Sequence, residues 1–213
     1  MCTLWAKISE GLWGFAGPSK NPDRVASITM FETLWARLSS LDAVPPPFGG
    51  QEGFLATMRS PITGPEAVGP MNLFLNMLSG FTVSGISPAD QEVYQFPWSE
   101  AEDRVRVFLP SGPLAFPFPE DVEAANFIGE YEDYLRVSET PKLVIDVQPG
   151  ILSSVEVELV GGSTLTQVAY AESVFPNTEV QTLSPSGHFV QEDLGEQLGG
   201  MIDAFVRDVT SRN

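Results

Sequence analysis

The chain holds a single histidine, His188, in the stretch Ser184-Pro185-Ser186-Gly187-His188-Phe189, between an apolar run ending at Leu183 and a helical pattern opening at Gln191. A histidine in a loop beyond the C-terminal end of a parallel strand stands where open α/β sheets place their chemistry, and its imidazole exchanges protons near neutral pH. The alternative is a surface or capping histidine, which position alone leaves open. Two carboxylates, Glu32 and Asp146, each close an apolar run, 25–31 and 142–145. Either acid set against His188 would fix its tautomer and hold its positive charge during proton transfer. Taken singly, a strand-end acid also serves as a turn cap; two of them with the sole histidine favour an acid/base site, so His188, Glu32 and Asp146 are the catalytic candidates.

The nucleophile is unknown. A Gly-x-Ser-x-Gly elbow is absent, and the glycine-rich turn Gly11-Leu12-Trp13-Gly14-Phe15-Ala16-Gly17 centres on neither Ser, Cys nor Asp. That turn also lacks the Gly-Lys-Ser/Thr of a phosphate loop. The carboxylates Glu120, Asp121, Glu123, Glu130, Glu132 and Asp133 follow helical spacing and are expected to form a solvated face rather than a metal site. No cofactor or metal is expected, because one histidine and one cysteine, Cys2, exclude the usual multi-His zinc sites and any disulfide within the chain.

The elements that would position these groups come from a chain of 213 residues, 43% hydrophobic, with mean hydropathy +0.03. Such composition fits one globular domain, or one with a small subdomain, and neither a disordered chain nor a membrane protein. Lys and Arg number 11 against 28 Asp and Glu, a net charge of −17 and a pI near 4.2. A field of that sign repels phosphate backbones and anionic lipid surfaces, so neither nucleic acid nor membrane is an expected partner. No apolar stretch reaches about 18 residues and the N-terminus lacks a basic start before an apolar run, so a cytoplasmic location is expected.

Strands are expected at 25–31, 142–146 and 179–183, all short, β-branched and bounded by Pro, Gly or Asn. Helices are expected at 120–136, with Ala125, Ile128, Tyr131, Tyr134 and Leu135 on one face, and at 191–208, with Leu194, Leu198, Met201, Ile202 and Phe205. In the second helix Glu192, Asp193 and Glu196 suit the positive end of the dipole. Between residues 33 and 120 the chain is broken by Pro45-Pro46-Pro47, Gly49-Gly50 and a succession of further prolines into brief helices and loops. Segments 51–59 and 66–78 carry large apolar residues able to roof a pocket, as a cap inserted between two buried strands would. Segment 154–167 alternates like a solvent-edge strand followed by a turn.

Against these elements a resemblance can be set. Leu135-Arg136-Val137-Ser138-Glu139-Thr140-Pro141-Lys142-Leu143, then Pro149-Gly150, Phe175-Pro176-Asn177-Thr178-Glu179 and Gly187-His188-Phe189-Val190-Gln191-Glu192-Asp193 resemble the C-terminal third of haloalkane dehalogenases and of the related coelenterazine luciferases. The stretch from Pro22-Asp23-Arg24-Val25 to Glu32 is similar to the strand after the family's nucleophile elbow. The likeness covers residues 13–38 and 120–213 and is poor in the insertion. It implies an α/β class with a partial α/β-hydrolase fold, a parallel sheet with a helical cap insertion. The segments would be 1–34 for the elbow remnant and following strand, 35–137 for the cap, and 138–213 for the C-terminal part of the core.

By the same resemblance His188 matches the catalytic base and Glu32 its acid partner, Asp146 lies near the place where other α/β-hydrolases carry their acid, and Trp13 matches a halide- or substrate-binding position. The family's nucleophile is an Asp directly before Trp-Gly, whereas Leu12 precedes Trp13-Gly14 here. Without that Asp no alkyl-enzyme ester can form. The expected function is therefore that of a haloalkane dehalogenase-like hydrolase of small apolar molecules, impaired or repurposed. The alternatives are a biosynthetic enzyme using His188 and Glu32 for acid/base chemistry and a binding pseudoenzyme. A sheet cut at its middle would leave an apolar edge, with Ile28 and Met30 on its outer strand, and so favour pairing of two copies.

Overall fold

A computed structural model describes residues 2–6, 20–46, 49–50, 53–111 and 122–212. The central sheet has four parallel strands: β1 (Cys2–Ala6), β2 (Val25–Phe31), β3 (Lys142–Pro149) and, in chain order after a small ribbon, β6 (Thr178–Ser186), laid side by side as β1-β2-β3-β6. The ribbon pairs β4 (Glu156–Glu158) with β5 (Thr164–Thr166) antiparallel, as the alternation in 154–167 anticipates. β2 is a strand because Val25, Ile28, Thr29 and Phe31 are β-branched or aromatic and no Gly or Pro interrupts them. Ile28 and Met30 are fully buried.

Two expectations change here. The run 25–31 is not an edge strand: the short apolar segment Cys2–Ala6 pairs parallel to it, with Leu4 opposite Ile28 and Ala6 opposite Met30. Ile28 and Met30 thus belong to the core. β3 does not close at Asp146 either. It runs on to Pro149 because β6, itself longer than 179–183, continues to pair with it through Asp146 opposite Thr182 and Val147 opposite Leu183.

Helices cover both faces. On one, α6 (Val122–Val137) and α7 (Gln167–Val174) share a buried cluster with Ile28, Met30 and Val144, to which they bring Ile128, Tyr131, Leu135, Val168, Tyr170 and Ala171. On the other, α8 (Val190–Ser211) joins Val190, Leu198, Phe205 and Val209 to Phe31, Leu143, Ile145, Val147 and Leu183. The period read in 191–208 holds, although the helix breaks at Leu194, where φ is −138° and ψ 38°. The helix expected over 51–59 spans Phe54–Arg59 (α1). The segment 66–78 is not one helix, since Gly69, Pro70 and a left-handed Asn72 divide it into Thr63–Val68 (α2) and Leu73–Asn76 (α3).

Pro88–Gln95 (α4), capped by the Ser87 hydroxyl on the Asp90 amide, and Ala101–Ser111 (α5) follow in the insertion. Buried Arg104 of α5 donates to the carbonyls of Gly69, Trp98 and Ser99, fastening that helix to the end of α2. The acidic face of α6 is not wholly solvated: Glu130 and Asp133 are exposed, but Glu132 is buried and accepts from Arg37, Arg136 and the Tyr170 hydroxyl. Glu120 and Asp121 lie outside the described residues. Lys142 is buried at the entry to β3, where its ammonium donates to the carbonyls of Ser138, Thr140 and Pro176. Burial pushes it down to about 8 against an upward pull from Glu139.

Candidate active site

At the C-terminal ends of β2, β3 and β6 the chain brings three turns together. β2 ends at Phe31, and Glu32, the next residue, takes a left-handed conformation with φ +42°. β3 ends at Pro149-Gly150 and turns through Ile151, Leu152 and Ser153. β6 ends at Ser186, and Gly187-His188-Phe189 leads into α8. Because the strands are parallel and in register, the three turns meet at one sheet edge, as expected of a site in an open α/β sheet.

The convergence centres on Glu32, which is 0% exposed. Its Oε2 faces His188 Nδ1 at 2.7 Å and accepts from the amides of Ile151 at 2.9 Å and Leu152 at 3.1 Å. Its Oε1 accepts from the Ser153 amide at 3.1 Å and the Ser153 hydroxyl at 2.8 Å. A buried carboxylate surrounded by donors and one imidazole is stable as the anion. Burial alone would raise its pKa, but the hydrogen bond from His188, the charge of that ring and the Leu152 and Ser153 amides outweigh it and hold the carboxyl below its ordinary value. An ionised carboxylate can only accept, so Nδ1 carries the hydrogen, and in the neutral ring Nε2 carries the lone pair.

Glycine is required where the cradle is tightest. Gly150 has φ +53°, and a Cβ there would stand 2.4 Å from the Val147 carbonyl oxygen and 2.5 Å from Glu32 Oε1. Gly187 is confined by the insertion, because a Cβ on it would meet the Phe81 carbonyl oxygen at 2.3 Å. Phe81 and Phe189 also flank the imidazole, with ring centroids 6.4 Å and 5.2 Å from it, both edge-on. Phe54 meets Phe81 edge-on at 6.2 Å. These aromatic residues make an apolar setting for the base, as a site for an apolar molecule requires.

Glu32 and His188 are brought together as the sequence anticipates. Asp146 is not: it lies within β3, its carboxylate accepts from Gln148 at 2.6 Å, and no bond links it to His188. The strand's continuation to Pro149 is the reason, since it leaves Asp146 short of the edge where the three turns meet. Trp13 and Leu12 lie outside the described residues. Sequence reasoning missed the amides of 151–153, visible only as a Pro-Gly after a strand. It also missed Gln167, whose buried amide accepts from the Trp35 amide and donates to the carbonyls of Thr33 and Leu152, bracing the turns behind Glu32. Among the described residues no group of three or more His, Cys, Asp or Glu is placed to hold a metal ion, and no helix is long and apolar enough to cross a membrane.

No family model matches the chain. A haloalkane dehalogenase of Agrobacterium fabrum is 27% identical over 206 residues, covering 96% of this chain and 62% of the relative. One from Mycolicibacterium smegmatis is 28% identical over 204 residues, 93% and 59% respectively. The coelenterazine h 2-monooxygenase of Renilla reniformis is 27% identical over 194 residues, 89% and 56%. The chain thus spans about three fifths of the length of these curated relatives. Among solved structures, a haloalkane dehalogenase from Agrobacterium tumefaciens superposes with a TM-score of 0.80 at 26% identity, over 97% of this chain and 66% of that one. The haloalkane dehalogenase from Bradyrhizobium elkani reaches 0.84 at 17% identity, over 98% and 68%, a likeness of fold. The fold is a partial α/β-hydrolase fold, and the similarity is to the haloalkane dehalogenase branch.

Proposed function

We propose that this chain acts on a small apolar molecule through His188 as a general base, with Glu32 fixing the ring and stabilising its protonated form, and without a covalent ester on the enzyme. The observation that carries the reading is the buried 2.7 Å contact between His188 Nδ1 and Glu32 Oε2. A base so held is useful only if Nε2 meets a proton to remove, from water or from the ligand. The apolar setting supplied by Phe81 and Phe189 supports an apolar ligand, and the likeness to haloalkane dehalogenases supports the same class. Leu12, in the place where that family carries its Asp, argues against alkyl transfer to the protein and for proton transfer alone.

The test is a panel of small apolar compounds, haloalkanes included, assayed for turnover and for added protein mass. A turned-over compound should lose at least about 100-fold in rate with His188→Ala, be unaffected by Leu12→Ala, and leave the intact mass unchanged. Turnover indifferent to His188→Ala, or an alkyl adduct on the protein, would overturn the reading.

A further inference from the structure

We infer that Asp193 is a positioning residue for His188, clamping the insertion to the loop that carries the base. Its carboxylate is the meeting point of two segments far apart in sequence. From the insertion it accepts the amides of Val83 at 2.9 Å and Ser84 at 2.8 Å and the Ser84 hydroxyl at 2.7 Å. From the His188 loop it accepts the Gly187 amide at 2.7 Å, with the Ser186 hydroxyl at 3.4 Å. Burial would raise its pKa, but these donors hold it below the ordinary value, so it works as an anion.

The position of Asp193 in α8 explains why this acid looks backward. It stands just before the break at Leu194, where the first turn departs from the line of the helix. Read along the sequence, it is an acid favoured by the helix dipole. In the fold it reaches out of the helix to the backbone immediately before His188. The second half of the clamp is backbone: the Phe189 amide donates to the Phe81 carbonyl at 3.1 Å, and Gly187 packs against that carbonyl too closely for any side chain. His188 is therefore held between two anchored neighbours, Gly187 through Asp193 and Phe189 through Phe81, while Glu32 holds the ring. Anchors on both sides limit the backbone swing that would carry Nδ1 away from Glu32 Oε2. A group acting through its neighbours in this way sets how much of the time the base is aimed.

This inference rests on the proposed role of the His188–Glu32 pair, and the experiment separates the two. His188 is the only histidine, so its Nδ1 proton gives one unambiguous low-field NMR signal, read in the full chain without any substrate. Glu32→Gln, which leaves a neutral oxygen in place of the anion, should move that signal upfield as the charge-assisted part of the bond is lost; an unmoved signal would show that the pairing itself is wrong. Given the pairing, Asp193→Asn should speed solvent exchange of the Nδ1 proton at least about tenfold, with far-ultraviolet circular dichroism unchanged. Asp193→Glu should recover part of the protection, and Ser84→Ala, which removes one donor at a distance from the histidine, should give a smaller change in the same direction. If Asp193→Asn does not fold, Ser84→Ala decides. Wild-type exchange in a folded Asp193→Asn, or in Ser84→Ala where the first variant fails, overturns the inference.

Discussion

Glu32→Gln is the perturbation whose cost can be worked from the donors around one carboxylate. Three backbone amides, the Ser153 hydroxyl and the His188 Nδ1 proton converge on it. A carboxamide in the same place keeps one accepting oxygen and substitutes an NH2 for the other. If the oxygen stays toward Ile151, Leu152 and His188, the NH2 meets the Ser153 amide, donor against donor. Stranding a buried N–H costs about 1–3 kcal/mol, and the remaining bonds lose their charge-assisted part, so the variant should be less stable by about 2–4 kcal/mol near neutral pH. The reverse orientation strands two amides and costs more.

The pH dependence follows from the lowered carboxyl. A folded pKa below the ordinary 4.5 makes the stabilisation fully present above that value and lost as pH falls through the folded one. Glutamine does not titrate, so the gap between wild type and variant should narrow on acidification below about pH 4.5. Urea unfolding followed by tryptophan fluorescence across a pH series measures both. Equal midpoints near neutral pH, or a gap that persists unchanged into acid, would refute the reasoning.

Two further substitutions test the surroundings. Gly150→Ala forces a left-handed residue to carry a Cβ 2.5 Å from Glu32 Oε1; it should cost about 2–4 kcal/mol in the same urea assay and weaken the Nδ1 proton signal, and an unaffected signal would contradict the tight cradle. Lys142, pushed down from 10.5 to about 8, binds its proton less tightly folded than unfolded. The unfolding free energy should therefore rise between those pH values more in wild type than in Lys142→Met, and parallel curves would show that the burial of Lys142 has no such effect.

What the sequence disclosed follows from how local each signal is. The run 25–31 with its terminal Glu32, the single His188 and the periodic helix before Arg212 are local patterns, and each reappears with small changes in extent. Asp146 misleads because strand length depends on the partner strand: β6 draws β3 on to Pro149, which no residue near Asp146 signals. Cys2–Ala6 is too short to announce itself and becomes a strand by pairing with β2. The donors on Glu32 are backbone amides, which every residue possesses, so only the fold can say that those of 151–153 point at it. Asp193 shows the same limit, since its spacing fits the first turn of a helix while its bonds run to residues 83, 84 and 187.

The central claim, that an ionised Glu32 holds His188 with its hydrogen on Nδ1 and its lone pair on Nε2, is tested most directly by the nitrogen-15 chemical shifts of the lone imidazole, recorded where the ring is neutral. The account predicts the Nδ1–H tautomer, with the Nδ1 shift altered in Glu32→Gln, where a neutral oxygen replaces the anion. The Nε2–H tautomer in the wild-type protein, or an Nδ1 shift indifferent to Glu32→Gln, would contradict it.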